Sequence, residues 1–308
     1  MADSIAIEEL SDGRGLTAEI VGGTILHSLT VTLRLGESRD VVLGLADRKK
    51  YFRRRDKEFA PPKNAYPSFS VEGGDTLVVE YPTGREPDNL IFFNLKGHGV
   101  GDIEDHNLTI YADRFVDEML FSAEKKERAD GIGDIRGWDA ADVSGTPEVR
   151  GWDAADVSGT PEARGWDVTD VSGTPLDFRE ETPIGERMRV GYAPLTRKKG
   201  YDHIFVLRRP NERDFGEGEA TELPLTHAAT LMDRMRTLQM DVYTSFPCLH
   251  LYTGNRMSGR DIGKGGCIYP KRGGVVLMPC NLPGGGLSEG HGKKKDGRRV
   301  EYRFKSLI

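Results

Sequence analysis

The residues able to do chemistry are few and scattered. His250, in CLHLY, carries an imidazole that titrates near ~6.5 when unperturbed. It could donate or accept a proton at neutral pH; the plain alternative is a histidine satisfied within its strand. His98 and His106 read as structural, and Asp202, in GYDH, has a turn-capping reading. The three cysteines, Cys248, Cys267 and Cys280, are an odd number without framework spacing. They are too far apart in sequence for a zinc site, so no metal is expected, and a reducing cytoplasm is their natural setting. SGRDIGKGG (Ser258 to Gly266) looks like a phosphate loop, but lacks the Ser or Thr after Gly-Lys and the four-residue gap. The basic run HGKKKDGRR reads as a solvated hairpin loop.

The elements that must position these residues follow a two-residue period rather than a helical one. SLTVTLRL (Ser28 to Leu35), DTLVVEY (Asp75 to Tyr81), NLIFFNL (Asn89 to Leu95) and NLTIYAD (Asn107 to Asp113) are β-branched or aromatic and bounded by turn residues. LQMDVYTS (Leu238 to Ser245), LHLYTG (Leu249 to Gly254), GGVVLMP (Gly273 to Pro279) and VEYRFKS (Val300 to Ser306) follow the same pattern. Many short strands between turns predict an all-β sandwich or barrel, and 38 glycines suit so many turns. THAATLMDRMRTL, from Thr226, is a helical candidate or a loop feeding the next strand. Pro279 removes a backbone donor from what reads as a central strand, which predicts local distortion there.

The 308 residues are enough for one large β domain or two smaller ones and for a sizeable core; a single domain, residues 1–308, is the expectation. A net charge of −6 offers no basic field for nucleic acid or an anionic membrane, so neither is expected as a partner. MADSIAIEELSDG lacks the basic start and apolar run of a signal peptide, and no segment reaches the ~18–20 apolar residues of a membrane span. In the middle, RGWDAADVSGTPE begins at Arg136 and again at Arg150, and RGWDVTDVSGTPL begins at Arg164. This 14-residue repeat holds all three tryptophans, Trp138, Trp152 and Trp166. Its Gly, Pro, Asp and Ser content predicts that residues 136–176 are an exposed loop insertion; the functional alternative is a ribbon that binds a protein partner.

Several stretches in order resemble the aldose 1-epimerase (galactose mutarotase) family. These are ESRDVVLGL, FFNLKGHG with DIEDHNLTIYADRF, VSGTPLDFREETPIGERM, GYDHIFVL, DVYTSFPCLHLYTGN and GKGGCIYPKRGGVVLMPCNLPGG. They span the chain from about Ile20 to its end. The resemblance implies a large antiparallel β-sandwich of the mutarotase supersandwich type. It implies interconversion of the α and β anomers of free hexoses such as galactose and glucose, without a cofactor. In that chemistry a base takes the anomeric hydroxyl proton, an acid protonates the ring oxygen, and the opened aldehyde recloses on its other face.

The family's acid is a histidine in an Asn-His-Ser-Tyr-Phe-Asn-Leu motif; Asn89 to Leu95 match it, with Leu90 at the histidine. The family's base is a glutamate in Leu-Glu-Thr-Gln; Leu277 to Cys280 match it, with Met278 at the glutamate. Neither side chain transfers protons. A family segment with an Asn-Arg pair and a His-Gly-Gly turn has no counterpart between VVLGLADRKKYF and SVEGGDTLVVEY, so the sandwich is expected to be shortened. Asp202 matches the aspartate that accepts hydrogen bonds from sugar hydroxyls, and His250 stands where the family has a sugar-contacting glutamine. The resemblance therefore implies Asp202 and His250 as substrate-binding residues, with His250 the candidate for remaining catalysis. Weak or lost epimerase activity on a free hexose is the leading expectation. The alternatives are a non-catalytic carbohydrate-binding or regulatory protein on the same fold, and a decayed copy without function.

Overall fold

The computed structural model describes residues 4–9, 13–53, 59, 61, 66–85, 87–116, 168–208, 224–260, 262–282 and 297–308. The first two repeat copies and all three tryptophans lie outside the described residues, and so does the partner-binding reading of that ribbon.

The described residues form three antiparallel sheets. Strands β1 (Ser4–Glu9), β2 (Gly15–Val21), β3 (Ile25–Thr32) and β4 (Ser38–Asp40) make the first, in chain order. The seven-stranded sheet uses β5 (Ser68–Glu72), β6 (Thr76–Tyr81), β7 (Asn107–Ile110), β10 (Thr182–Pro183), β12 (Thr226–Met232), β13 (Leu238–Thr244) and β16 (Arg298–Ser306). Its order is β10-β7-β12-β13-β16-β6-β5. The third sheet runs β15-β14-β11-β8-β9, from β8 (Ala112–Val116), β9 (Val168–Asp170), β11 (Asp202–Leu207), β14 (Cys248–Tyr252) and β15 (Val276–Cys280). Two short α-helices accompany them, α1 (Lys49–Arg53) and α2 (Ala193–Lys198). Among the described residues no helix is long and apolar enough to cross a membrane.

Of the all-β sandwich and barrel that the two-residue period allowed, the sandwich, which the resemblance also implied, is the observed architecture. Leu238, Met240 and Val242 of β13 alternate inward and share one core with Leu29, Val79 and Leu108 and with Phe205, Leu249 and Leu277 of the third sheet. A second, smaller cluster holds Leu43, Leu45, Tyr51, Phe59, Phe92, Tyr252, Met257, Tyr269 and Val276. Burying each such Leu or Phe stabilises the fold by roughly 1.5–3 kcal/mol.

Several local expectations are corrected. NLIFFNL is not a regular strand: only Phe93 bridges, to Val42 on one side and Val275 on the other. Phe93 enters the main core and Phe92 the second cluster, so the segment links two cores rather than lining one. NLTIYAD breaks at Tyr111, with β7 in the seven-stranded sheet and β8 in the five-stranded one. THAATLMDRMRTL is not a helix: its first half is β12, whose backbone pairs with β7 and β13, and its second half, Asp233 to Thr237, is the turn that feeds β13. The basic run is not all loop, because Arg298 and Arg299 open β16. Arg298 donates to the Ser245 carbonyl at 2.7 Å and lies over the Phe246 ring. Within the repeat span 136–176, the described residues 168–176 form β9 and a turn that buries Val171 and Leu176.

Pro279 causes no break either. It pairs with Leu249 in an unbroken register from Cys248↔Cys280 to Tyr252↔Val276. Antiparallel pairs alternate between hydrogen-bonded and non-hydrogen-bonded kinds. Lacking an N–H, Pro279 occupies the second kind, and its nitrogen faces away from β14. β15 is the outer strand of its sheet, so no ladder bond is lost.

Candidate functional site

The third sheet brings Asp202 and His250 together. Asp202 opens β11 directly after α2, whose carboxyl end turns through Lys199 at φ 61° and Gly200 at φ 145°. A side chain at Gly200 would meet Asn255 Oδ1 at 2.1 Å, so only glycine lets the chain pass here into β11. Asn255 in turn donates to the Tyr201 carbonyl at 2.8 Å and fixes the strand entrance. β11 pairs with β14 so that Ile204 opposes His250 and Asp202 opposes Tyr252. This register makes Asp202 and His250 diagonal neighbours on one face.

His250 Nε2 lies 2.8 Å from Asp202 Oδ1. The other oxygen, Oδ2, is 3.8 Å from Lys198 Nζ at the end of α2. Burial opposes ionisation of Asp202, but the hydrogen bond and charge of His250, with Lys198, outweigh it and hold the carboxyl below its ordinary range. An ionised carboxylate only accepts, so Nε2 is the donor; whenever the ring is in its neutral form, Nδ1 is left as its acceptor. Sequence reasoning did not find Lys198. Its only signal is a cation four residues before Asp202, and its approach depends on α2 ending where it does.

The walls beside this pair are apolar. Met278 stands directly across from His250 in the β14–β15 ladder. Met278 and Leu90 both pack against the second cluster, which includes Tyr252 and Val276. The two positions that the sequence aligned with an acid and a base thus pack against one apolar cluster, and Met278 stands beside the Asp202–His250 pair. Neither adds a proton handler.

The other histidines near the sheet serve structure. His203 faces the opposite side, accepts the Asp202 N–H at Nδ1 (3.0 Å), and is driven by burial to about 4, so it is neutral at pH 7. His106 is fully buried and accepts the Leu95 N–H at Nε2 (3.0 Å), with Asp105 3.4 Å from its Nδ1. His98 lies 3.7 Å from Asp40. The phosphate-like loop is structural as well: Lys264 Nζ donates to Asp40 Oδ2, to the His27 carbonyl (2.9 Å) and to the Val42 carbonyl (2.7 Å). All three ammonium protons are used, which leaves none for an anion. Among the described residues no group of three or more His, Cys, Asp or Glu is placed to hold a metal ion.

What the pair can do is limited and definite. Nδ1 of His250 can accept a proton or a hydrogen bond, Asp202 can orient the ring and stabilise an imidazolium, and the apolar flank can pack against the carbon face of a small ligand.

Known proteins resemble this chain in sequence and in fold. A family model described as aldose 1-epimerase matches residues 160–283. The galactose mutarotases of Sus scrofa and Rattus norvegicus are 28% and 29% identical over 224 residues, 70% of this chain and 48% of each of theirs. The human galactose mutarotase is 27% identical over the same length. The chain therefore spans about half the length of the curated relatives it matches. In fold it is similar to an aldose epimerase homologue from C. elegans, with a TM-score of 0.59 at 13% identity and 100% of both chains covered. It is also similar to a galactose 1-epimerase from Lactobacillus acidophilus, with a TM-score of 0.50 at 16% identity and 99% of both covered. Together with the sandwich and its ordered motifs, these comparisons make the chain similar in sequence to the galactose mutarotases and in fold to the aldose epimerases.

Proposed function

We propose that this chain handles a free hexose, galactose or glucose, on the Asp202–His250 face and interconverts its anomers slowly. The observation that carries the reading is the 2.8 Å hydrogen bond from His250 to Asp202, with Met278 across the ladder from His250. His250 Nδ1 takes the proton of the anomeric hydroxyl, Asp202 holds the imidazolium that results, and water protonates the ring oxygen as the ring opens. One positioned proton handler contributes about 10²–10⁴ in rate. With apolar side chains at Leu90 and Met278, the rate falls well below that of an enzyme with a full acid and base pair. The same reading puts the chain in the cytoplasm, whose thiol pool keeps its three cysteines, none of them in a disulfide, reduced at rest.

The apolar character of Leu90 and Met278 favours a second reading: the face binds a hexose without turning it over. Anomer exchange separates the two. Freshly dissolved α-galactose is followed by NMR with the wild-type chain, with His250→Ala and without protein. The first reading expects acceleration that His250→Ala abolishes. Acceleration unchanged in His250→Ala removes His250 from catalysis. No acceleration, with millimolar hexose binding by calorimetry, leaves the second reading.

A further inference from the structure

Cys248 and Cys280 stand directly opposite one another in the β14–β15 ladder. Cys248 is buried, Cys280 is partly exposed, and neither is in a disulfide. Successive side chains alternate faces, so the two thiols share a face with His250 and Met278, the next pair but one along the ladder. Pro279 decides which kind of pair they are. Because Leu249↔Pro279 is non-hydrogen-bonded, the flanking Cys248↔Cys280 pair is hydrogen-bonded, with Cα atoms about 5.5 Å apart. A disulfide spans about 4.4–6.8 Å between Cα atoms and about 3.8 Å between Cβ atoms. The Cα spacing already fits. The Cβ atoms, at about 5.5 Å in such a pair, must close. β15 is the outer strand of its sheet; the Phe93 bridge at Val275 and the Tyr302 hydroxyl on the Leu277 carbonyl hold its far side towards the end opposite Cys280, so the Cys280 end can make that shift.

We propose that Cys248 and Cys280 are a reversible thiol-modification site that closes into a cross-strand disulfide. The oxidant is a small disulfide of the glutathione class. The Cys280 thiolate, the more accessible, attacks its S–S bond; a Cys280–glutathione bond forms and one glutathione thiolate leaves. The Cys248 thiolate then attacks the Cys280 sulfur and releases the second glutathione. Two protein thiols give up two electrons and two protons, and one oxidised glutathione becomes two reduced ones. The bond draws Met278 and His250 together two positions along the ladder, so oxidation changes the face that carries Asp202. The closure needed strains the bond and keeps it reducible by reduced glutathione. Cys267 supplies an internal control: it sits outside the ladder, with its Sγ donating to the Lys264 carbonyl at 3.0 Å.

The test is a thiol count and peptide map on the folded full chain after incubation with oxidised glutathione. The expected result is a fall from the three thiols of the sequence to one. The joined peptides contain Cys248 and Cys280, the remaining thiol is Cys267, and reduced glutathione restores all three. Cys248→Ser should instead trap Cys280 as its glutathione adduct, while Cys280→Ser should keep both remaining thiols. Persistence of all three thiols, a wild-type chain that stops at the glutathione adduct, or a linkage through Cys267 overturns the proposal.

Discussion

Asp202→Asn keeps the size of the side chain and removes its charge. In the wild-type chain His250 Nε2 donates to Asp202 Oδ1 at 2.8 Å, and both side chains are 20% exposed. A hydrogen bond to an ionised partner contributes about 1.5–3 kcal/mol. Partial solvent screening of this pair lowers that to about 1–2 kcal/mol. The imidazolium formed when Nδ1 takes a proton loses this support, so anomer exchange should slow by about 5–30-fold. The same substitution has a pH signature. The folded pKa of Asp202 lies below its unfolded value of about 3.9, so its stabilising contribution is full above that pH. It fades as pH falls through the folded pKa. Urea midpoints of wild type and Asp202→Asn should therefore differ at pH 7 and converge as the pH is taken below about 4. Exchange at the wild-type rate in a folded Asp202→Asn chain, or a stability gap that widens in acid, refutes the reasoning.

Restoring the missing proton handlers is the complementary change. Met278 faces His250 across the ladder and Leu90 packs on the same cluster, so Leu90→His with Met278→Glu should raise anomer exchange by at least about 10² over wild type. A folded double variant with unchanged exchange by NMR shows that the two positions do not converge on one sugar. Lys264→Met should cost about 3–5 kcal/mol in urea unfolding, because it strands the largely buried Asp40 carboxylate without its cation. A loss under 1 kcal/mol, on the scale of an exposed pair, would contradict the buried role of Lys264.

What could be read along the chain was mainly local. Alternation located β3, β6, β13, β14, β15 and β16, because a half-buried strand imposes its period on the sequence. The substitutions at Leu90 and Met278 were also legible, since motif letters do not depend on packing. Where neighbours decide, the local signal misled. Thr226 to Met232 carried a helical pattern and became a strand because β7 and β13 flank it. Asn89 to Leu95 looked like a strand, yet Phe92 and Phe93 feed two different clusters and only one residue bridges. Pro279 read as a break in a central strand, but sheet order makes β15 outermost and the register turns its nitrogen outward.

The sequence by itself determined the residue types: an imidazole at 250, a carboxylate at 202, and no proton handler at 90 or 278. Only the tertiary structure joined the first two across 48 residues of chain and brought Lys198 to their side. It alone set the two cysteines face to face. Sheet register is a property of paired strands. A shift of one residue in β14 would turn His250 to the other face, and neither strand's own sequence states its partner's alignment.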